Sequence, residues 1–366
     1  MPVLLAPDQA PTLHELLAEA NTVGLDCKPV DTSNESEPRI QGLGSLTSAG
    51  RTEISFLSNP KLRNQLSNCK AAAVIMTDAD YQALDIENRS YRVVLCSQPY
   101  LMYALLAQWF DQRRISRLET GIHPTAIVAS SAAVAASVSI GPYCVIEEGA
   151  RIGQGTRVGA HCTIGANSVL GKDCLLHARV TLYHNVTIGD RAILHSGSVF
   201  GADGFGFAPD PQNAAGAWAK IAQIGGVVLG NDVEIGANTT VDRGALENTL
   251  VGNGVKLDNQ IMIGHNVQIG DHTAMAACVG VAGSTIIGQR CTIAGAAMLS
   301  GHLVLGDDVH VSGGTAVTSN ISTPGRYTGV YPFAEHSQWQ RNAAVLSQLA
   351  QLRRRLRAIE KTQNNQ

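Results

Sequence analysis

The chain is poor in aromatic residues, 5% of 366 positions, and in charge, with Asp, Glu, Lys and Arg making up 16%. Its formal net charge of −3 offers no field for nucleic acid, whose binding surfaces carry a clustered basic excess. No run approaches the ~18 apolar residues of a membrane span. The N-terminus, MPVLLAPDQAPTLHELL, lacks a basic n-region and an unbroken apolar stretch, so it does not read as a secretory signal. These absences lead us to expect a cytoplasmic protein with no transmembrane segment and no nucleic-acid partner. The eight cysteines show no C-x-x-C or Cys/His ligand spacing. That argues against a zinc module, and in a reducing cytosol they read as small buried apolar side chains.

Glycine is what the chain has in excess, 37 residues beside an apolar share of 45%. With few aromatics this points to a tightly turning, small-residue architecture, and the length allows two or three structural units. A period of six supplies the detail. Every sixth residue from Ile122 is aliphatic or aromatic: Ile122, Val128, Val134, Ile140, Ile146 and so on without a miss to Phe200. A second register, Leu229, Ile235, Val241, slips by four residues and then runs from Val251 to Val317. Four residues after each aliphatic comes something small or β-branched, as in Val138, Cys144, Ala150, Thr156 and Cys162. Period six fits neither an α-helix nor an alternating strand, but it suits short strands joined by tight turns in which glycine supplies φ > 0. The expected fold is mainly β, a parallel β-helix of hexapeptide repeats over residues 121–320.

Two segments flank it. Residues 1–120 read as an α/β domain, with strands near Ile54–Leu57, Ala72–Met76 and Arg92–Cys96 and a helix near Tyr100–Arg114. In the final segment, 321–366, Leu346, Leu349, Leu352, Leu356 and Ile359 predict one amphipathic, coiled-coil-like C-terminal α-helix over Trp339–Lys361. That helix also carries Arg341, Arg353, Arg354, Arg355, Arg357 and Lys361 against Glu360, either a docking surface for an acidic partner or a solvated charged face.

Breaks in a solenoid's period mark candidate functional surfaces. The largest, 201–226, is rich in aromatics and glycine and suits a loop that covers a ligand or bridges subunits, although a merely tolerated insertion would look similar. The four-residue slip at DRGALENT (242–249) is the second. Among the histidines, His177 and His195 lie 18 residues apart, hence on adjacent coils of three hexads; a stacked polar ladder and a metal pair are the two readings. His265 stands apart, because Gly283 follows 18 residues later and Gly301–His302 one coil further. A histidine base can titrate near neutral pH, and a glycine N–H can face a developing oxyanion. That column is an acyl-transfer constellation.

The ordered set DGFGF (203–207), VEIGANTTVDRGAL (233–246), LDNQIMIGHNVQIGD (257–271), VAGS (281–284) and GH (301–302), with FLSNPKL (56–62) before it, resembles the UDP-3-O-(3-hydroxyacyl)glucosamine N-acyltransferases of lipid A biosynthesis. The resemblance implies a left-handed coil, against the usual right-handed preference of parallel crossovers. It implies a homotrimer with active sites between neighbouring β-helices. The acyl donor would be acyl carrier protein bearing 4'-phosphopantetheine, with no cofactor or metal of the enzyme's own, and the acceptor a UDP-sugar. His265 matches the family's catalytic histidine as general base, Gly283 the oxyanion donor, and His302 an auxiliary histidine. Phe56 and Asn59 match positions that stack on and hydrogen-bond uracil, while Leu62 stands where the family often has tyrosine. Asp203, Phe205 and Gly206 of DGFGF are further substrate-binding candidates. The small run Ser312–Val317 reads as inward-facing and leaves room for an acyl groove, with Ala316 setting chain length. The alternatives are a β-helix acyltransferase for another nucleotide sugar, a γ-class carbonic anhydrase needing three metal-bound histidines, and a non-catalytic hexapeptide scaffold.

Overall fold

The structure is a computed structural model that describes residues 5–30, 36–84, 89–115, 120–212 and 216–363. Residues 213–215 of the expected 201–226 loop therefore lie outside the described residues. The chain divides into two compact units, Met1–Glu119 and Thr120–Gln366.

In the first unit, strands β1 (Cys27–Pro29), β2 (Gly42–Leu43), β3 (Glu53–Phe56), β4 (Ala73–Met76) and β5 (Arg92–Cys96) form one sheet in the order β1-β5-β4-β3-β2. Only β1 runs antiparallel to its neighbour. The helices are α1 (Leu13–Ala20), α2 (Asp78–Gln82) and α3 (Pro99–Ile115). A reciprocal cap starts α1: the Thr12 N–H donates to Glu15 Oε2 at 2.8 Å and the Glu15 N–H to Thr12 Oγ1 at 3.3 Å. Every residue of β4 is buried, because Ala73 and Ile75 pack with α1 and α3 on one face while Val74 and Met76 pack into a second cluster on the other.

The second unit is a left-handed parallel β-helix whose strands, mostly two residues long, stack into three parallel sheets of ten, nine and eleven strands. Neighbours in a sheet are one coil apart, as in Val145↔Thr163 and Ile146↔Ile164. The two sequence breaks enter as loops between coils that still pair: Val199 pairs with Thr240 across the first, where the register shifts between Phe200 and Asp203, and Glu234 with Lys256 across the second. From Ile140 to Val317 the sixth-residue aliphatics form a single buried core, and each fully buried side chain contributes about 1.5–3 kcal/mol. Ile122 lies on the end strand of its sheet and is half exposed. Interior threonines are satisfied: Thr156 Oγ1 donates to the Gly171 carbonyl at 2.8 Å and accepts the Cys174 N–H at 3.1 Å.

Glycine supplies φ > 0 at corners such as Gly149, Gly155, Gly197 and Gly254, as expected, but it is not required there: Tyr143, His161, Asn167, Asp173 and Arg179 occupy equivalent corners, with φ of 54–64°. Each pays about 1–2 kcal/mol for that conformation, offset by main-chain bonds such as His161 N–H to Pro142 C=O at 2.9 Å. Glycine has a second role directly after the inward residue, because successive coils nearly touch there. A Cβ on Gly165 would sit 2.5 Å from the carbonyl carbon of Tyr183 on the next coil.

Cys144 and Cys162 are buried and donate to the carbonyls of Gly159 and His177 at 2.9 and 3.1 Å. Two cysteines depart from the buried-cysteine expectation: Cys27 is half-buried, and Cys278 occupies an exposed φ > 0 corner. The expected C-terminal helical segment is present, with one break in it, as α4 (His336–Leu346) and α5 (Leu349–Gln363). At the junction the Gln348 N–H bonds three residues back to Val345 C=O at 2.9 Å, and the Ser347 hydroxyl takes the Ala344 carbonyl at 2.7 Å, a local competition that interrupts helical hydrogen bonding. Leu346, Leu349, Leu352, Leu356 and Ile359 are all exposed. Among the described residues no helix is long and apolar enough to cross a membrane.

Candidate active site

His265 follows the strand Met262–Ile263 and turns the corner toward Gln268–Ile269. Ile263 pairs with Val281 on the next coil, which brings Gly283 beneath the imidazole. A Cβ on Gly283 would lie 2.6 Å from His265 Nε2, so the ring rests on the glycine Cα. The neighbouring amides hold the column together: Ser284 N–H donates to His265 C=O at 2.9 Å and His302 N–H to Gly283 C=O at 3.1 Å. The His302 side chain is exposed.

The corner amides fall into two groups. Those at Ala166, Lys172, Ala237, Ala277 and Gln289 donate to carboxylate or amide oxygens from neighbouring coils at 2.6–3.0 Å. The Gly283 N–H belongs with those of Gly295 and Gly301, which have no acceptor among the described residues. An unengaged N–H beside an imidazole nitrogen can receive a developing oxyanion while the imidazole takes a proton.

The first break supplies a wall. After Val199–Asp203 the chain forms an antiparallel hairpin, Phe207–Pro209 with Trp218–Lys220. Gly204 packs on the catalytic candidate, where a Cβ would come within 2.6 Å of His265 Cβ, and a Cβ on Gly206 would meet Gln223 Nε2 at 2.5 Å. Asp203 pairs with Lys220, which holds its carboxyl below the usual range. Phe205 projects into solvent, its ring 5.0 Å from that of Phe207.

Sequence reasoning missed several groups here. Arg243 is buried, donating to Gly201 C=O at 2.7 Å, to His184 C=O at 2.6 Å and to the His184 ring. Asp242, one residue past the Val241–Ile263 pair, is half buried; burial pushes its carboxyl up to about 6, with His265 acting in the opposite sense. The signal was present in the DRGALENT slip, but a slip gives no indication of which of its side chains turns toward the histidine.

Ala316 corrects another expectation. Of Ser312–Val317 only Thr315 and Val317 are buried, while Ala316 is exposed, because alternation along a strand puts adjacent residues on opposite faces. Ala316 pairs with Met298, Met298 with Gly280 and Gly280 with Met262. This gives an outer column on the sheet that carries His265, with Met262 and Met298 half exposed. His177 and His195 stack at 4.7 Å with an interplanar angle of 8°, and His195 Nε2 lies 3.4 Å from Glu234. Among the described residues no three His, Cys, Asp or Glu converge as a metal-binding group.

In the first unit Phe56 ends β3 and stacks on Tyr103 of α3, centroids 4.1 Å apart at 20°, with Tyr100 at 6.0 Å. Asn59 caps the following 3₁₀ turn, its Oδ1 accepting the Lys61 N–H at 3.1 Å. Leu62 is exposed. The tyrosines escaped sequence reasoning because they lie some forty positions from Phe56 in the chain.

Fold and repeat together define a class, the hexapeptide-repeat transferases: the family model for bacterial transferase hexapeptides matches residues 131–166 and 167–202. The solved UDP-N-acetylglucosamine acyltransferase of Arabidopsis shares the fold, with a TM-score of 0.51 and 23% identity over 57% of this chain and 71% of that one. The family model for UDP-3-O-(3-hydroxymyristoyl) glucosamine N-acyltransferase matches residues 37–109. UDP-3-O-acylglucosamine N-acyltransferases from Bordetella pertussis and Bordetella petrii are 62% and 66% identical, covering 99% of this chain and 100% of each relative. That from Delftia acidovorans is 51% identical over 89% of this chain and 90% of its own. The chain belongs to the UDP-3-O-acylglucosamine N-acyltransferase family.

Proposed function

We propose that the enzyme transfers a 3-hydroxyacyl chain from acyl carrier protein to the 2-amino group of UDP-3-O-(3-hydroxyacyl)glucosamine in lipid A biosynthesis, working in the cytoplasm as a homotrimer. The observation that carries this reading is His265 Nε2 lying against Gly283, whose N–H is unengaged. The amine nitrogen attacks the thioester carbonyl, and the Gly283 N–H receives the negative charge that develops on its oxygen. His265 Nε2 takes the proton lost by the nitrogen. The tetrahedral intermediate then collapses, the C–S bond breaks, and the proton passes to the phosphopantetheine thiolate. No cofactor beyond the donor's own arm is needed.

The other candidates take supporting roles. Phe56 offers a stacking surface and Asn59 an amide for uracil, and Asp203, Phe205 and Gly206 belong to the loop that packs on His265. The acyl chain would follow the outer column Met262, Gly280, Met298 and Ala316. Leu346 to Ile359 form an exposed apolar seam that suits subunit association, and the arginines of α5 suit an acidic carrier protein. The direct test is mass spectrometry of product after incubation with UDP-3-O-acylglucosamine and a panel of 3-hydroxyacyl carrier proteins. A mass gain of one acyl group on the amine is expected; acylation only of a different nucleotide sugar would overturn the assignment.

A further inference from the structure

We propose that Asn266 is a positioning residue that fixes His265 in the Nδ1–H tautomer, and that the four-residue insertion at 242–249 serves to clamp its amide. The proposal rests on the general-base reading of His265.

The main-chain N–H of Asn266 and both heteroatoms of its side-chain amide are engaged. Its N–H donates to Thr249 Oγ1 at 2.9 Å. Its Oδ1 accepts the Ala245 N–H at 2.9 Å, and its Nδ2 donates to Glu247 C=O at 3.1 Å. The last two partners are main-chain groups of fixed polarity, one only a donor and the other only an acceptor, so the amide has a single allowed orientation. His265 Nδ1 lies 3.0 Å from that same Oδ1. Since an amide oxygen cannot donate, Nδ1 must carry the proton, and the lone pair is left on Nε2, the nitrogen that faces Gly283. A base oriented by a third group is the general logic of such sites.

Ala245 and Glu247, which hold the side-chain amide, come from the insertion, and Thr249, which holds the main-chain N–H, begins the strand that follows it. A plain hexad would carry the chain straight from one strand to the next and leave Oδ1 and Nδ2 of Asn266 without these partners. The bend is also one that only glycine permits, since a Cβ on Gly244 would lie 1.6 Å from Glu247 C=O and 2.7 Å from Asn266 Nδ2. Asn266 itself holds φ at 59°, a conformation that asparagine tolerates and glycine adopts freely. The charged groups facing His265 are Asp242 on the preceding coil and, through it, Asp203 with its partner Lys220; Gly283 and Ser284 on the following coil carry no charge.

The experiment is a pH series of kcat and KM for the full-length enzyme and its Asn266→Asp, Asn266→Gly and His265→Ala variants, each checked for assembly and thermal unfolding. A carboxylate at 266 would stabilise the imidazolium, so the acid limb of kcat/KM for Asn266→Asp should move up by about one to three pH units. Asn266→Gly frees the tautomer without straining the backbone, and kcat should fall on the order of tenfold or more with KM unchanged. Reduced turnover in both variants with an undisplaced acid limb would assign Asn266 to packing alone and overturn the proposal. Wild-type turnover in His265→Ala would overturn the general-base reading itself, whatever the Asn266 variants do.

Discussion

Nε2 of His265 occupies the space that a side chain at Gly283 would need, 2.6 Å from the Cβ position. The backbone of Gly283 lies outside the φ > 0 region, so alanine is conformationally acceptable there and its cost falls on the site. Gly283→Ala should leave the thermal transition close to wild type while turnover falls by roughly 10²–10³, the range for disturbing an oxyanion donor. Unfolding kinetics beside steady-state rates would separate the two effects. A variant with normal turnover would show that ring and amide need not meet.

The two histidines should not be equivalent. His265→Ala is expected to cut turnover by ~10²–10⁴ with fold and assembly intact. His302 is exposed and reaches the site through its main-chain bond to Gly283, so its substitution should cost less. Equal losses at both positions would contradict this division.

Asp242 gives a pH signature. Its carboxyl is pushed up to about 6 by burial, above the ~3.9 of an unfolded aspartate. Between those values the folded state holds more protons than the unfolded one, so stability falls as pH rises through that window and the deficit persists above it. Asn at 242 removes the ionisation. Asp242→Asn should therefore melt higher than wild type at pH 7, with the gap closing near pH 4. A gap independent of pH would mean that Asp242 ionises as freely as in the unfolded chain.

The period from Ile122 to Val317 was enough to locate the β-helix, because burial inside a triangular coil imposes one inward aliphatic every six residues. The column His265, Gly283, His302 was equally legible, since coil arithmetic turns sequence spacing into neighbours. Asp242 and Arg243 were not, because the DRGALENT stretch leaves the hexad register and its side chains point where a local bend sends them; Asn266 keeps a regular corner position, but its partners Ala245 and Glu247 lie in that same bend. Ala316 failed for a related reason: small size was taken for inwardness, when strand alternation decides the face. The break between α4 and α5 depends on one serine hydroxyl competing for a carbonyl, which heptad spacing does not register.

Phe56→Ala should mainly raise KM for the UDP substrate, because stacking on a base is made alike in ground and transition states. Phe56 also stacks on Tyr103, so a modest fall in melting temperature should accompany it. A loss confined to kcat would remove Phe56 from nucleotide binding. Leu62 is exposed, and Leu62→Tyr should tighten UDP binding in a direct titration if no other residue covers the second face of the base; unchanged affinity would point to a tyrosine of α3 in that role.

The outer column Met262, Gly280, Met298 and Ala316 gives acyl-chain length a structural test. A Cβ on Gly280 would lie 2.6 Å from Met298 Sδ, so the Met298 side chain folds over the glycine. Ala316, one coil further, is exposed and leaves the column open at that end. A methionine there would occupy the length of about two methylenes. Each buried methylene is worth ~0.8 kcal/mol, so Ala316→Met should penalise the longer donors about tenfold relative to donors two carbons shorter. The short donors should be used as before, since the site at His265 is untouched. The measurement is kcat/KM across a series of 3-hydroxyacyl carrier proteins of increasing length. A uniform loss across the series would indicate a disturbed fold, and an unchanged length preference would place the acyl chain on another face of the coil.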